Sequence, residues 1–318
     1  MKHFLGSTDL QLHEIKEVFS LAADFKRLRN RHTPPVLDKQ TWGLLFFKNS
    51  TRTRVSFEIG VRELGGTSLY LDDRTMQVGR GESIKDTANV LSRYMHGLII
   101  RTFEHEIIEE FAKHSSIPVI NALTDLLHPC QTFTDIFTLL ERWSDPQSDS
   151  WMDDLKGKKI AFFGDTACNM ANSWVILSKL LGFQLVLSGP EGFETTQEAI
   201  QFMKSRNLDT EIHFTTDAKE AADQADMLYT DVWVSMGKEK ESEERIELMK
   251  PYSVTEELFS LAKPDAYFMH CMPTHPGWEV SETVLENPRA ILYDQAENRL
   301  HTQKAIMAIL AEAKRSIR

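Results

Sequence analysis

Cysteine is scarce. The chain has three in 318 residues, Cys130, Cys168 and Cys271, far apart and without a Cys-x-x-Cys pair. That speaks against a disulfide framework and against a cysteine-based zinc site, and it fits a reducing compartment, so a cytoplasmic location is expected with no metal and no cofactor. Long apolar runs are missing too. No window approaches the ~18 uninterrupted apolar residues of a membrane span. The N-terminal stretch of residues 1–19 carries charge throughout and has no apolar core, unlike a signal peptide. Positive charge is in deficit: 36 Lys+Arg against 47 Asp+Glu give a formal net charge of -11. This argues against nucleic acid or an anionic membrane as a partner through a diffuse basic surface, but leaves room for a small anion in a local basic site. Internal repeats, low-complexity tracts, GxxxxGK[ST] and GxGxxG are also absent, so neither familiar nucleotide loop is present and a Rossmann-type dehydrogenase lacks its fingerprint.

What remains is ordinary globular composition, 42% apolar and 26% charged, at a length that suits about two domains. Leu12, Ile15, Phe19, Ala22 and Phe25 recur at helical spacing. The run 41–47 reads as a buried strand. Residues 52–64 read as a helix with Val55, Ile59 and Leu64 as its apolar positions and Gly65-Gly66 as its stop. Further strands are expected at 68–71, 98–101 and 118–121, and helices at 83–94 (capped by Ser83), 104–113 and 131–143. The polar segment 144–157, with Pro and Gly, is the best boundary. Beyond it strands are expected at 159–163, 184–188, 211–215, 226–230 and 266–270, helices at 171–181, 194–205, 217–224 and 253–262, and one long helix from Gln295. Strands alternating with helices predict an α/β chain with two doubly wound parallel-sheet domains, whose ligands bind beyond the carboxyl ends of the strands, in an active-site cleft between them.

The residues just after those strands carry chemistry. Lys48-Asn-Ser-Thr-Arg-Thr-Arg54 runs from a strand into a helix. Its free N–H groups, hydroxyls and arginines can cradle a phosphate, although a solvated, Ser-capped helix start with surface arginines reads the same by composition alone. Arg101 ends another strand. His128-Pro-Cys-Gln131 opens a helix after a third, where a histidine tends to stay neutral and can donate to a developing oxyanion. A lone histidine is more often structural, but one following several such strand ends is harder to dismiss.

Ser50-Thr-Arg-Thr-Arg54 with His128-Pro-Cys-Gln131 resembles the carbamoyltransferase family, and the resemblance extends through residues 77–87 and over essentially the whole chain. It implies that Ser50, Thr51, Arg52 and Thr53 grip the phosphate of carbamoyl phosphate, that Arg101 and His128 polarise the carbamoyl oxygen, and that Gln131 contacts the carbamoyl amide. It further implies that Arg299, in 295–302, approaches the same substrate from a helix packing back on the first domain. The carbamoyl-phosphate-binding domain is then 1–145 plus the C-terminal helix 295–318, and 155–294 is the second-substrate domain. In relatives the loop matching 76–82 reaches a neighbouring subunit's site, which implies a homotrimer, or a multiple of trimers, with Gln77 acting in trans.

Asp231-Val-Trp-Val-Ser-Met-Gly237 could be an ordinary turn, but it resembles the ornithine-binding loop of ornithine carbamoyltransferases, which aspartate carbamoyltransferases lack. The resemblance places Asp231 and Ser235 on the α-amino group, and Asn169 with the Met236 backbone on the carboxylate. Many such enzymes have two adjacent Asn where this chain has Cys168-Asn169. His270-Cys-Met-Pro273 resembles the family's His-Cys-Leu-Pro, with Cys271 near the attacking amine and the loop carbonyls, including that of Met272, open to the carbamoyl NH2. Cys130 and Cys168 read as inert. The following Thr274-His-Pro-Gly-Trp278 departs from the His-Arg-Gly common in relatives. The implied reaction gives citrulline from L-ornithine and carbamoyl phosphate, with catalytic roles for Arg101, His128, Cys271 and Arg299, within arginine metabolism. Putrescine or an acylated ornithine as acceptor, and a non-catalytic small-anion-binding paralogue, are the rival readings.

Overall fold

The computed structural model describes residues 2–72, 81–144, 151–234 and 242–315. The chain forms two compact units, Met1–Asp149 with Ala296–Arg318, and Ser150–Gln295. The first contains α1 (Leu12–Arg27), β1 (Thr41–Phe46), α2 (Thr51–Glu63), β2 (Thr67–Asp72), α3 (Ile84–Tyr94), β3 (Gly97–Arg101), α4 (His105–His114), β4 (Val119–Leu123) and α5 (Pro129–Trp143). Its four strands are all parallel, in the order β2-β1-β3-β4. β1 and β3 are apolar almost throughout because both faces of a central parallel strand are covered, so neither shows alternation. The start of β3 requires glycine: a Cβ on Gly97 would sit 2.4 Å from the buried Trp42 ring.

One expected stripe holds only in part. Leu64 is buried as expected, but Val55 is half exposed and Ile59 only partly buried, and the packed face of α2 is Thr53, Phe57, Gly60 and Val61. The reason is close helix approach. A Cβ on Gly60 would lie 3.1 Å from Met307 Cε and 3.3 Å from Lys304 Cγ, so small residues, which apolar counting ignores, mark the packed face.

The second unit contains β5 (Lys159–Phe163), α6 (Asn169–Leu181), β6 (Gln184–Ser188), α7 (Gln197–Ser205), β7 (His213–Thr215), α8 (Ala218–Ala222), β8 (Met227–Thr230), α9 (Ser242–Met249), α10 (Glu256–Phe259), β9 (Tyr267–His270) and α11 (Glu282–Leu285). Its five strands, again all parallel, run β7-β6-β5-β8-β9. The expected helix at 253–262 is only the single turn of α10, capped by Thr255, and neither α9 nor α11 was expected. α12 (Leu292–Arg315) follows, and its residues from Ala296 onward belong to the first unit. It is buried nearly all round from Leu300 to Ala311 despite polar residues such as His301, Gln303 and Lys304.

Each sheet reverses its winding once, between β1 and β3 and between β5 and β8. Right-handed crossovers then place helices on opposite faces to either side of the reversal, and the loops leaving the carboxyl ends of the flanking strands splay apart. In the first unit those ends lead to Ser50–Thr53 and to Arg101. In the second they lead to residues 164–169 and to Asp231.

Candidate active site

In the first unit Ser50 is the N-cap of α2, and its Oγ accepts the Thr53 N–H at 3.3 Å. Thr51 and Arg52 occupy the exposed first turn, where helix N–H groups and the macrodipole favour an anion. Thr53 turns inward and is buried, as are Arg101 at the end of β3 and His128, the N-cap of α5 with Pro129 behind it.

Arg299 of α12 joins two of these elements, α2 and α5, to its own helix. Its Nη1 donates to Gln131 Oε1 at 2.5 Å and its Nη2 to Thr53 Oγ1 at 3.1 Å. With the Gln303 amide turned to satisfy its neighbours, the Gln303 oxygen accepts from Arg299 Nη2 and Nε at 3.0 Å each, and its nitrogen donates to Ser56 Oγ at 2.7 Å. These neutral acceptors fix the guanidinium plane without cancelling its charge. Behind them, Gln131 Nε2 donates to Asp135 Oδ1 at 2.8 Å, and Asp135 is fully buried. The carboxylate sets which end of the Gln131 amide faces Arg299 and lowers the cost of burying that cation.

His128 titrates well below its ordinary range, first because it is buried and then because Arg299 and Arg101 are positive. It is a neutral imidazole at neutral pH. The expectation of neutrality rested on the helix N-terminus, whereas burial and the two arginines are the causes here. Cys130, next in sequence but one, is not a nucleophile: burial pushes its thiol up to about 12, and Sγ donates to the Asn121 carbonyl at 3.2 Å.

In the second unit, Cys168 is the N-cap of α6, its Sγ accepting the Ala171 N–H at 3.5 Å, so the thiol does the capping work that the missing second Asn would do. Burial, then Asp165 and Asp231, push that thiol well above its ordinary value. Asn169 follows as the first residue of α6. Asp231 leaves β8, and its Oδ1 accepts the Val232 N–H at 2.8 Å and the Cys271 thiol at 2.9 Å. The Cys271 loop is held from below. Met272 N–H donates to His270 Nδ1 at 2.8 Å, and His270 Nε2 lies 3.3 Å from Oε1 of the buried Glu279. Met272 itself takes a left-handed conformation, φ +62°, which non-glycine residues seldom adopt and which surrounding contacts must enforce. Asp231, His270 and Cys271 bring three ligand-type atoms within 4.8 Å of one another, a grouping that spacing in the sequence did not reveal. Cys271 Sγ donates to Asp231 Oδ1 and His270 Nδ1 accepts the Met272 N–H, so these contacts brace the loop.

Gln77, Ser235 and Met236 lie outside the described residues. The structure therefore brings Ser50, Thr53, Gln131 and Arg299 together, with Arg101 and His128 within electrostatic reach, and separately joins Asp231 to Cys271. Sequence reading missed Asp135, Gln303, Glu279 and Asp165. Asp135 and Gln303 left a signal, lying four residues after Gln131 and Arg299 on one helix face.

Residues 2–141 match the carbamoyl-P binding domain of the aspartate/ornithine carbamoyltransferase family, and residues 156–310 match its Asp/Orn binding domain. The chain belongs to this family. It is 45% identical over 316 residues to the ornithine carbamoyltransferase of Syntrophus aciditrophicus, covering 97% of this chain and 99% of that one. The Geobacter sulfurreducens protein of the same name is 43% identical, covering 98% and 99%. Among solved structures, the ornithine carbamoyltransferase from Pyrococcus furiosus superposes with a TM-score of 0.86 at 39% identity, covering 96% of each chain. Family membership makes the chain a carbamoyltransferase with two parallel-sheet α/β domains. Among its described residues no helix is long and apolar enough to cross a membrane.

Proposed function

We propose that this chain is an ornithine carbamoyltransferase, moving the carbamoyl group of carbamoyl phosphate onto the δ-amine of L-ornithine to give L-citrulline and phosphate. The observation that carries this reading is the buried Arg299–Gln131–Thr53 network beside a neutral His128 and Arg101. The first-turn N–H groups of α2, with Ser50, Thr51 and the Arg52 guanidinium, hold the phosphate dianion. Thr53 Oγ1 spends a lone pair on Arg299, which leaves its hydroxyl proton to donate to the carbonyl oxygen. Arg101 and neutral His128 donate to the same oxygen, and all three bonds strengthen as it becomes an oxyanion. Gln131 Oε1 retains a lone pair for the carbamoyl NH2, and the carbonyls of the Cys271-Met272 loop accept from it too.

Asp231, with Ser235, receives the α-ammonium of ornithine, and Asn169 with Met236 receives its carboxylate. The δ-amine, with an ordinary pKa of about 10, gives up its ammonium proton to solvent as it enters the site, where desolvation disfavours the charged form, and attacks the carbonyl carbon. The C–N bond forms, the C–O bond to phosphate breaks with its electron pair leaving on phosphate, and the amine proton goes to that leaving group. A citrulline assay offering ornithine, putrescine and N-acetylornithine in turn tests the reading. Ornithine turnover alone supports it, and turnover of another amine in preference overturns it.

The same reading makes the protein cytoplasmic, supported by three free cysteines, and a homotrimer. Large apolar side chains left exposed on the first unit, Val55, Leu69, Val90, Tyr94 and Phe103, support self-association with further copies of this chain. If Gln77 acts in trans, mixing inactive Arg52→Ala and Gln77→Ala chains under exchange conditions restores part of the activity. Activity no higher than either parent argues for self-contained sites.

A further inference from the structure

Arg245 in α9 belongs to none of the motifs, yet its side chain is 11% exposed and is held on three sides. Nε donates to the Trp233 carbonyl at 2.6 Å, Nη2 donates to Asp165 Oδ2, and the guanidinium lies 4.9 Å from the centre of the Phe193 ring. Asp165 is itself buried and accepts the Ala167 N–H at 3.1 Å, forming the turn that delivers Cys168 and Asn169 to the start of α6. Thr166, in the same turn, donates to the Phe193 carbonyl. Trp233 lies two residues after Asp231 and is fully buried. Its indole packs on Gly164, where φ is +98° and a Cβ would come within 2.6 Å of Trp233 Nε1. The segments leaving β5 and β8 thus meet at Gly164 and Trp233, and Arg245 bonds to both from a third element, α9. Only a guanidinium fits: its planar fork reaches a carbonyl and a carboxylate at once, and it stacks on an aromatic ring.

We propose that Arg245 is the positioning residue of the acceptor-amino-acid subsite, a cross-brace that fixes Asn169, through Asp165, against Asp231, through Trp233. This rests on the assignment of Asn169 and Asp231 to the α-end of ornithine. The two anchors recognise opposite charges on one carbon, so a shift of either segment spoils both bonds together, while the carbamoyl phosphate residues of the first unit have no part in the brace.

The test is steady-state kinetics of the full chain and of Arg245→Gln, Arg245→Lys and Asp165→Asn. Both KM values are measured, together with inhibition by L-2-aminopentanoate, which is ornithine without its δ-amine. Arg245→Gln raises the ornithine KM at least 10-fold and weakens the inhibitor by the same factor, and the carbamoyl phosphate KM stays within about 2-fold. Arg245→Lys recovers part of the loss, because an ammonium keeps the pairing with Asp165 but not the second bond. Should Arg245→Gln fail to fold, Asp165→Asn, which changes charge at constant volume, carries the same split. Wild-type turnover of ornithine combined with an unmoved ornithine KM in the variants, or with equal rises in both KM values, overturns the brace alone. No citrulline from the wild-type chain overturns the ornithine reading and the brace with it.

Discussion

Arg299 bonds to side chains from three places at once: Thr53 at the start of α2, Gln131 in α5 and Gln303 a turn further along its own helix. A lysine would bring the same charge as a flexible point donor, unable to hold Thr53 and Gln131 in fixed planes. Arg299→Lys therefore keeps the fold but loses orientation of the Thr53 hydroxyl and the Gln131 amide. We expect kcat/KM for carbamoyl phosphate to fall about 100-fold, roughly 2.7 kcal/mol of transition-state stabilisation. Steady-state kinetics beside a thermal melt check this, and a variant within a factor of three of wild type would show that charge alone suffices. The neighbouring His128 is held neutral by burial and by Arg299 and Arg101, so it contributes a fixed donor and no titration of its own near neutral pH.

At the scale of elements, packing constraints decide what propensity leaves open. Gly97 begins β3, and an added methyl would overlap the Trp42 ring, which is rigid and fully buried. Alanine would reduce the backbone entropy cost by about 0.5–1 kcal/mol, but overpacking against a fully buried ring costs about 1–3 kcal/mol and wins. Urea denaturation of Gly97→Ala should show a net loss of at least 1 kcal/mol. In a Trp42→Leu background the same change should cost much less, since the collision is gone. A constraint of this kind has no trace in local sequence, which is why the chain was legible only unevenly. The βα alternation, the parallel sheets and the strand ends bearing Ser50, Arg101, His128, Asp231 and Cys271 could be read because each is a local pattern followed by a local motif. The packed face of α2 could not, because Thr53 and Gly60 are chosen for smallness. Helix α9 could not either: Ser-Glu-Glu-Arg-Ile-Glu-Leu-Met shows no apolar stripe, and its key residue, Arg245, bonds to Asp165 at 80 residues' separation. Asp135 and Gln303 stand at helical spacing from Gln131 and Arg299 and were legible to that extent, whereas Glu279 supports His270 only through three-dimensional contact, which no spacing rule encodes.

At the scale of the whole molecule, the acid response divides between the units. Among the described residues, every histidine with a lowered pKa lies in the first unit. His3 is pushed down to about 4 by burial and then by the N-terminal charge, His301 to about 3 by burial and then by Lys304, Lys26 and Arg29, and His128 is lowered well below its usual range. His301 is fully buried among those cations, with Glu297 Oε1 3.6 Å from its Nε2 and Glu63 and Glu141 paired to the surrounding lysines. The sign follows from linkage. Above pH 6.5 the histidines are neutral in both folded and unfolded chains and contribute nothing. As pH falls below 6.5 the unfolded chain binds protons that the folded unit refuses, so stability drops, for His301 alone by about 2 kcal/mol at pH 5. The second unit responds with the same sign but in a lower pH window. Its Asp226 has a lowered pKa because, against the desolvation that would raise it, the Lys159 N–H, Lys263 and Lys158 hold the carboxylate. That stabilisation is complete above about pH 4 and is lost only as pH falls through the carboxylate range. Between pH 6.5 and 5, amides of residues 2–144 and 296–315 should therefore lose hydrogen-exchange protection, corrected for the intrinsic rate, before those of 151–295. His301→Leu should remove much of that loss while leaving protection at pH 7.5 little changed. Simultaneous loss in both units, or an acid response untouched by His301→Leu, would assign the lability to carboxylates instead.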